Sequence, residues 1–232
     1  QVLKENIFNM RFLIKDMHVA EEFIAQHGLM RLMDVILRSS GNLQGYALTA
    51  LRGFMGYESG LNEFLQAPEL IDKLFQLIDP SVLAASCRQA LELAFVITNY
   101  DGWKLVNKAA KDAARARGNP PYQNLIQLLV AGDFDTAVNT LTLLNTLLDN
   151  APSPVKLDKL LKKWRDLGIL DRLSELNHYT HGEWKTQMAI FEAMCAQNAN
   201  QMRGGAGGAG GGKSAPASGE LEQLLRKYEE QQ

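Results

Sequence analysis

Apolar residues along this chain recur three and four positions apart, the spacing of buried helix faces, and strand signals are nearly absent. In Phe23–Ile36, FIAQHGLMRLMDVI, residues Phe23, Ile24, Leu29, Leu32, Val35 and Ile36 can share one buried side. Breakers interrupt the pattern at Ser39–Gly41, Gly60, Pro68, Asp79–Pro80, Gly102, Gly118–Pro121, Gly132, Ala151–Pro154 and Gly182. The segments between them have ordinary helix lengths.

Three of these segments overlay. Tyr46–Tyr57 (YALTALRGFMGY), Gln89–Tyr100 (QALELAFVITNY) and Asn139–Asn150 (NTLTLLNTLLDN) start 43 and then 50 residues apart. Their ends agree too, since YESG at Tyr57–Gly60 resembles YDG at Tyr100–Gly102. FLQAPELIDKLFQLI, from Phe64, echoes FIAQHGLMRLMDVI 41 residues earlier. A period in the low forties with two or three helices per unit predicts an all-α, armadillo-like helical-repeat solenoid. The competing architecture is an irregular helical bundle. The overlay favours the solenoid because it preserves polar as well as apolar positions.

Within the overlaid helices, Leu48, Leu51 and Phe54 align with Leu91, Ala94 and Ile97 and with Leu141, Leu144 and Leu147. That stripe is the expected core. A second stripe aligns Thr49, Arg52, Gly53 and Gly56 with Glu92, Phe95, Val96 and Asn99, and these with Thr142, Asn145, Thr146 and Asp149. Steps of 3, 1 and 3 put each set on one helical face. Stacked, they would line one concave surface suited to an extended or helical peptide, or else form a merely solvated face. Mid-helix asparagines such as Asn99 and Asn145 are unfavourable for helicity, which favours the binding surface.

Composition narrows the function classes. Across 232 residues, 24 lysines and arginines nearly balance 26 aspartates and glutamates, for a formal charge of −2. That balance gives no electrostatic case for nucleic acid or an anionic membrane. No apolar run approaches the length of a membrane span. Cys87 and Cys195 are distant from each other, suggesting a reducing compartment without a disulfide framework. The chain starts at Gln1 without methionine, the mark of a fragment.

At this point a family resemblance enters. LTLLNTLLDNAP, Leu141–Pro152, resembles the leucine–isoleucine–asparagine helix in the armadillo domain of formins, the diaphanous-inhibitory or FH3 region. GNPPYQNLIQLL, Gly118–Leu129, resembles a junction of Fhod-type formins, and ALELAFVITNY and EWKTQMAIFEA, Glu183–Ala193, resemble helices of that subgroup. The similarity runs from roughly Phe8 to Asn198 and lies in the ordered series of segments. It implies a domain that does no chemistry and needs no cofactor. In formins the concave face binds an autoregulatory helix from the carboxy-terminal end of the same protein, and a Rho-family GTPase releases it. Actin is met only indirectly, through domains absent here, and the setting is cytoplasmic and cytoskeleton-associated. By position, Asn145 takes the place of the family's helix asparagine and Thr146 follows it; the other groove residues come from the overlay alone. The alternative is an armadillo adaptor, such as that of the engulfment-and-motility proteins, with an unrelated partner.

Other candidate chemistry is weaker. HYTHGE, His178–Glu183, holds two histidines, but zinc needs about four ligands, so a connecting loop is expected. Cys87 lies in an Ala- and Leu-rich segment and reads as a buried thiol. Trp103 occupies the position of Leu61 and reads as a packing anchor. RDLGILDRLSEL, Arg165–Leu176, reads as one amphipathic helix, preceded by a basic face of Lys159, Lys162, Lys163 and Arg165.

The expected armadillo domain is 1–203, followed by a Gly/Ala/Ser linker at 204–219 and a short amphipathic helix at 220–232. Gly207–Ser214, GGAGGGKS, fits the phosphate-loop pattern, but no strand precedes it and Pro216 and Gly219 disrupt any helix after it, so a tether is the reading. Leu221, Leu224, Leu225 and Tyr228 form an apolar stripe in the last segment. It could begin a coiled coil that makes a homodimer, continue as a helix without special role, or fold back into the groove. A linker of that composition reaches ~22 Å root-mean-square, enough for the last option.

Overall fold

The structure is a computed structural model in which residues 2–204 are described. The chain divides into one compact unit, Gln1–Asn198, and a second, Ala199–Gln232, of which only the continuation of a helix to Gly204 is described. The tether, its phosphate-loop pattern and the segment 220–232 lie outside the described residues.

The first unit is a succession of three-helix repeats. Helix α1 (Val2–Leu13) packs on α4 and stands where the third helix of a preceding repeat would stand. The repeats follow: α2 (Met17–Ala25), α3 (Gly28–Arg38) and α4 (Gly41–Phe54); α5 (Glu58–Gln66), α6 (Pro68–Leu74) and α7 (Ala84–Ile97); α8 (Trp103–Ala116), α9 (Gln123–Ala131) and α10 (Phe134–Asp149); α11 (Pro154–Asp166), α12 (Ile169–Glu175) and α13 (Gly182–Gly204). The third helices α4, α7 and α10 stack directly on one another. This is the armadillo-like solenoid that the repeat period predicts. Its core is the expected stripe: Leu48, Leu51, Phe54, Leu91, Ala94, Ile97, Leu141, Leu144 and Leu147 are all buried. Apolar burial along a continuous seam between repeats is what makes units too small to fold alone stable together.

Two expected single helices prove to be pairs. The stretch Phe23–Ile36 breaks between α2 and α3, where His27 adopts left-handed backbone, φ 56°. The residues expected on its buried side are buried or half-buried, but from two helices that turn a corner. Arg165–Leu176 likewise breaks at Gly168, φ 80°, between α11 and α12. In both cases the apolar spacing continues across the corner, so periodicity alone does not show it.

The matching YESG and YDG ends have a structural reason. A Cβ on Gly60 would overlap the carbonyl oxygen of Phe54, and one on Gly102 would overlap that of Ile97. At both corners the first helix of the next repeat crosses against the last turn of a third helix, and only glycine leaves room. The residues that follow, Leu61 and Trp103, are both buried, and the Trp103 Nε1 donates to the Leu147 carbonyl at 2.7 Å. The equivalence of those two positions and the anchor role of Trp103 are thus seen directly.

Polar side chains join repeats about one period apart. Gln44 donates to the carbonyls of Ile36 and Ser39, and its Oε1 accepts from Ser86 of the next repeat. Asp79 is buried and accepts from Asn124 at 2.6 Å while pairing with the Arg117 guanidinium at 2.8 Å. Asp133 caps α10 through Thr136 and pairs with Arg88 of α7. These bonds satisfy polar groups that stacking would otherwise strand.

Candidate functional site

The second stripe runs along the exposed edge of the stacked third helices, and the structure gives its members different fates. Thr49 and Arg52 are exposed on α4. Gly53 is exposed beside Ile14, and Gly56 falls beyond the end of α4, in the turn to α5, because the helix stops three residues before Tyr57. On α7, Glu92, Phe95 and Val96 are half-buried. Asn99 lies past the end of α7, in a wide turn at Thr98–Gly102, and accepts from Asn150, just after α10, at 3.3 Å.

Arg52 donates to Glu92 Oε2 at 3.3 Å, and Asn139 of α10 donates to Glu92 Oε1 at 3.3 Å. Glu92 therefore bridges three successive third helices. The rungs slant: each partner lies one helical turn away from the level pairing of the overlay. That slant brings in Asn139, which the level alignment passes over. The signal for it was present, since Asn139 sits three residues before Thr142 on the same face. Beside this ladder Phe95 and Val96 form a half-exposed apolar spot, and Tyr100, 59% exposed, flanks it.

On α10 the stripe is closed. Thr142 and Thr146 turn their hydroxyls onto carbonyls one turn back, Val138 and Thr142. Asn145 and Thr146 are each only 4% exposed. Asn145 Nδ2 donates to both the backbone carbonyl and the Oε1 of Gln187 on α13, each at 2.9 Å. Its Oδ1 is buried with no partner among the described residues. The expectation that Asn145 and Thr146 face a groove must therefore be corrected for this structure. The reason is that α13 stacks on α10 as a further third helix and covers that part of the face. Asp149 remains exposed at the helix end, and its carboxyl pKa is raised by partial burial. The sequence offered a signal for Gln187 in its position, 42 residues after Asn145, one repeat period later.

The remaining candidate groups are structural. His178 and His181 sit in the loop before α13, where Tyr179 packs edge-on against Phe134 and Trp184. Cys87 is buried, and burial raises its thiol pKa to about 11, opposite to what a nucleophile needs. Among the described residues, no cluster of three or more histidine, cysteine, aspartate or glutamate residues could hold a metal. Also among them, no helix is long and apolar enough to cross a membrane.

Stacked three-helix units define the class: an armadillo-like helical-repeat protein. The chain matches the family model for the FHOD1/3 FH3 domain over residues 41–172, and it belongs to that formin family. It is 51% identical over 192 residues to Formin-C of Dictyostelium discoideum, covering 82% of this chain and 17% of that protein. It is 38% identical over 198 residues to Formin-G of the same organism, covering 84% and 18%. Human FH1/FH2 domain-containing protein 3 is 28% identical over 173 residues, covering 72% of this chain and 12% of the relative. The chain thus spans less than a fifth of the length of these relatives. Among solved structures, an engineered protein is similar in fold, with a TM-score of 0.62 at 16% identity over 83% of this chain and 72% of that one. Membership of the formin family sets aside an adaptor of the engulfment-and-motility type.

Proposed function

We propose that this domain is a non-enzymatic regulatory module of a formin-type actin regulator, one that binds a helical segment from the carboxy-terminal end of its own protein. The binding face is the open part of the stripe, from Arg52 on α4 across Glu92, Phe95 and Val96 on α7 to Asn139 on α10. The observation that carries this reading is the combination at Glu92: a half-buried carboxylate shared by two helices beside a half-exposed phenylalanine and valine. An amphipathic helix would set apolar side chains over Phe95 and Val96 and exchange its own charges for the Arg52–Glu92 pair. The covered Asn145 and Thr146 support the site from behind rather than touching the ligand. Occupancy of this face would hold the actin-assembling part of the protein inactive, and a Rho-family GTPase would relieve it. Actin itself would be met only through the rest of the protein, in a cytoplasmic, cytoskeletal setting.

The test is calorimetric titration of this domain with a peptide spanning the carboxy-terminal end of the full-length protein. Saturable one-to-one binding is expected, reduced by an added GTP-loaded Rho-family GTPase. Absence of saturable binding overturns the reading.

A further inference from the structure

Away from the third helices, the first helices α8 and α11 enclose a cleft of about 260 Å³. Its floor is apolar, from Trp103 and Leu160, both buried. Its walls are cationic. Lys156, Lys159 and Lys163 project from one face of α11, and Lys111 faces them from α8. No lining residue is acidic. Two other basic side chains of α8 are paired: Lys108 with Asp72 and Asp112, and Arg115 with Asp112. Among the described residues, none of the four cleft lysines makes an ion pair.

A fifth donor lies deeper. Asn107 also lines the cleft and is 9% exposed. The buried Tyr122 hydroxyl, its pKa raised to about 12 by desolvation, stays protonated and donates to Asn107 Oδ1 at 2.6 Å. That bond orients the amide and leaves Nδ2, without a partner among the described residues, to the cleft. The Trp103 indole nitrogen is spent on the Leu147 carbonyl. Lys111 has its pKa lowered by burial and then by the charge of Arg115; Asp112 offsets part of this, and Lys156 and Lys108 add to it.

The geometry points to an anion site: the cleft between α8 and α11 takes a compact ligand with clustered phosphates, of the inositol polyphosphate class. Four lysines and one oriented amide line a volume of about the size of one such headgroup, and lysine binds phosphate as a point charge. A flexible acidic peptide would meet the same charge, but its chain would have to be ordered across the cleft, whereas a compact headgroup is already rigid. The site is on the opposite helix row from the proposed peptide face, so the two stand or fall separately.

The test uses the full chain and inositol 1,4,5-trisphosphate as probe, titrated calorimetrically at about 150 mM salt, where exposed charges are screened beyond ~8 Å. One-to-one binding with Kd below about 1 mM is expected. The double substitution Lys159→Glu with Lys163→Glu should weaken it by about tenfold or more, whereas Lys162→Glu, on the same helix but outside the cleft, should change it less than about twofold. Lys163→Gln provides a milder variant with unaltered helicity and should fall between. Vesicles of phosphatidylcholine with and without phosphatidylinositol 4,5-bisphosphate identify the source. Displacement of vesicle-bound protein by the soluble trisphosphate assigns a lipid headgroup, and soluble binding without vesicle binding assigns a free ligand. The inference is overturned by absence of trisphosphate binding, by equal losses for Lys162→Glu and the double variant, or by preference for a polyglutamate peptide over the trisphosphate.

Discussion

The α4–α7 edge and the α10–α13 junction carry the same stripe of sequence and use it in opposite ways. At the first, Arg52 and Glu92 meet at 3.3 Å with both side chains substantially exposed, 43% and 27%. At the second, Asn145 is sealed under α13, with its amide nitrogen spent on Gln187. A polar residue on a repeat face can thus serve recognition or serve stacking, and what decides is whether a group of the next third helix lies over it, as Gln187 does over Asn145.

Substitutions should separate these two regions. The largest loss of stability is expected from Asn145→Asp. It places a carboxylate against two acceptors of Gln187, while the existing Oδ1 already lacks a donor. A buried, unpaired charge of this kind costs on the order of 3–5 kcal/mol, to be read as a shift of the urea midpoint. Retention of the wild-type midpoint would show that α13 does not seal the position. Next comes Gly102→Ala, which forces a Cβ into the Ile97 carbonyl and should cost about 1–3 kcal/mol in the same measurement. By contrast, Arg52→Ala should cost less than about 1 kcal/mol of stability, because exposed ion pairs contribute little. Its effect belongs in ligand affinity instead.

The smallest effect expected is a pH dependence at the cap of α10. Hydrogen bonds from Thr136, and then the Arg88 guanidinium, lower the Asp133 pKa to about 2. A depressed carboxylate pKa contributes stability that is present above the unfolded value of about 4 and is lost as pH falls from there toward 2. Asp133→Asn keeps a capping side chain but removes the titration. Its melting temperature should therefore fall less steeply than wild type across that window. Parallel acid limbs for the two proteins would show that Asp133 makes no such contribution.

Much of the fold could be read from spacing alone. The core stripe from Leu48 to Leu147, the glycine corners at Gly60 and Gly102 and the anchor position shared by Leu61 and Trp103 all follow from repeats that preserve polar and apolar positions together. The corners at His27 and Gly168 could not be read so. Apolar spacing runs through them, and a left-handed histidine leaves no mark in a helical pattern. For the candidate face, Arg52, Glu92, Phe95 and Val96 were legible as an accessible stripe. Asn139 could be placed on that face by its spacing from Thr142, but its pairing with Glu92 could not be read, because the level overlay pairs Glu92 with Thr142 and the contact lies one turn away. Asn145 was misplaced for a different reason. Its burial depends on α13, whose partner residue Gln187 lies one full period downstream, and only the stacked structure brings the two together.

The central claim is that ligand binding and repeat sealing divide along this stripe, with the open α4–α7 edge doing the binding. The most direct measurement is the affinity of the carboxy-terminal peptide for wild type and for Phe95→Asp, with the urea midpoint recorded on the same samples. The expected result is an affinity loss of about tenfold or more, as for removal of an apolar anchor at an interface, in a protein that stays folded with a lowered midpoint, because Phe95 is half-buried against the core. Unchanged affinity in a Phe95→Asp protein that remains folded would contradict the account.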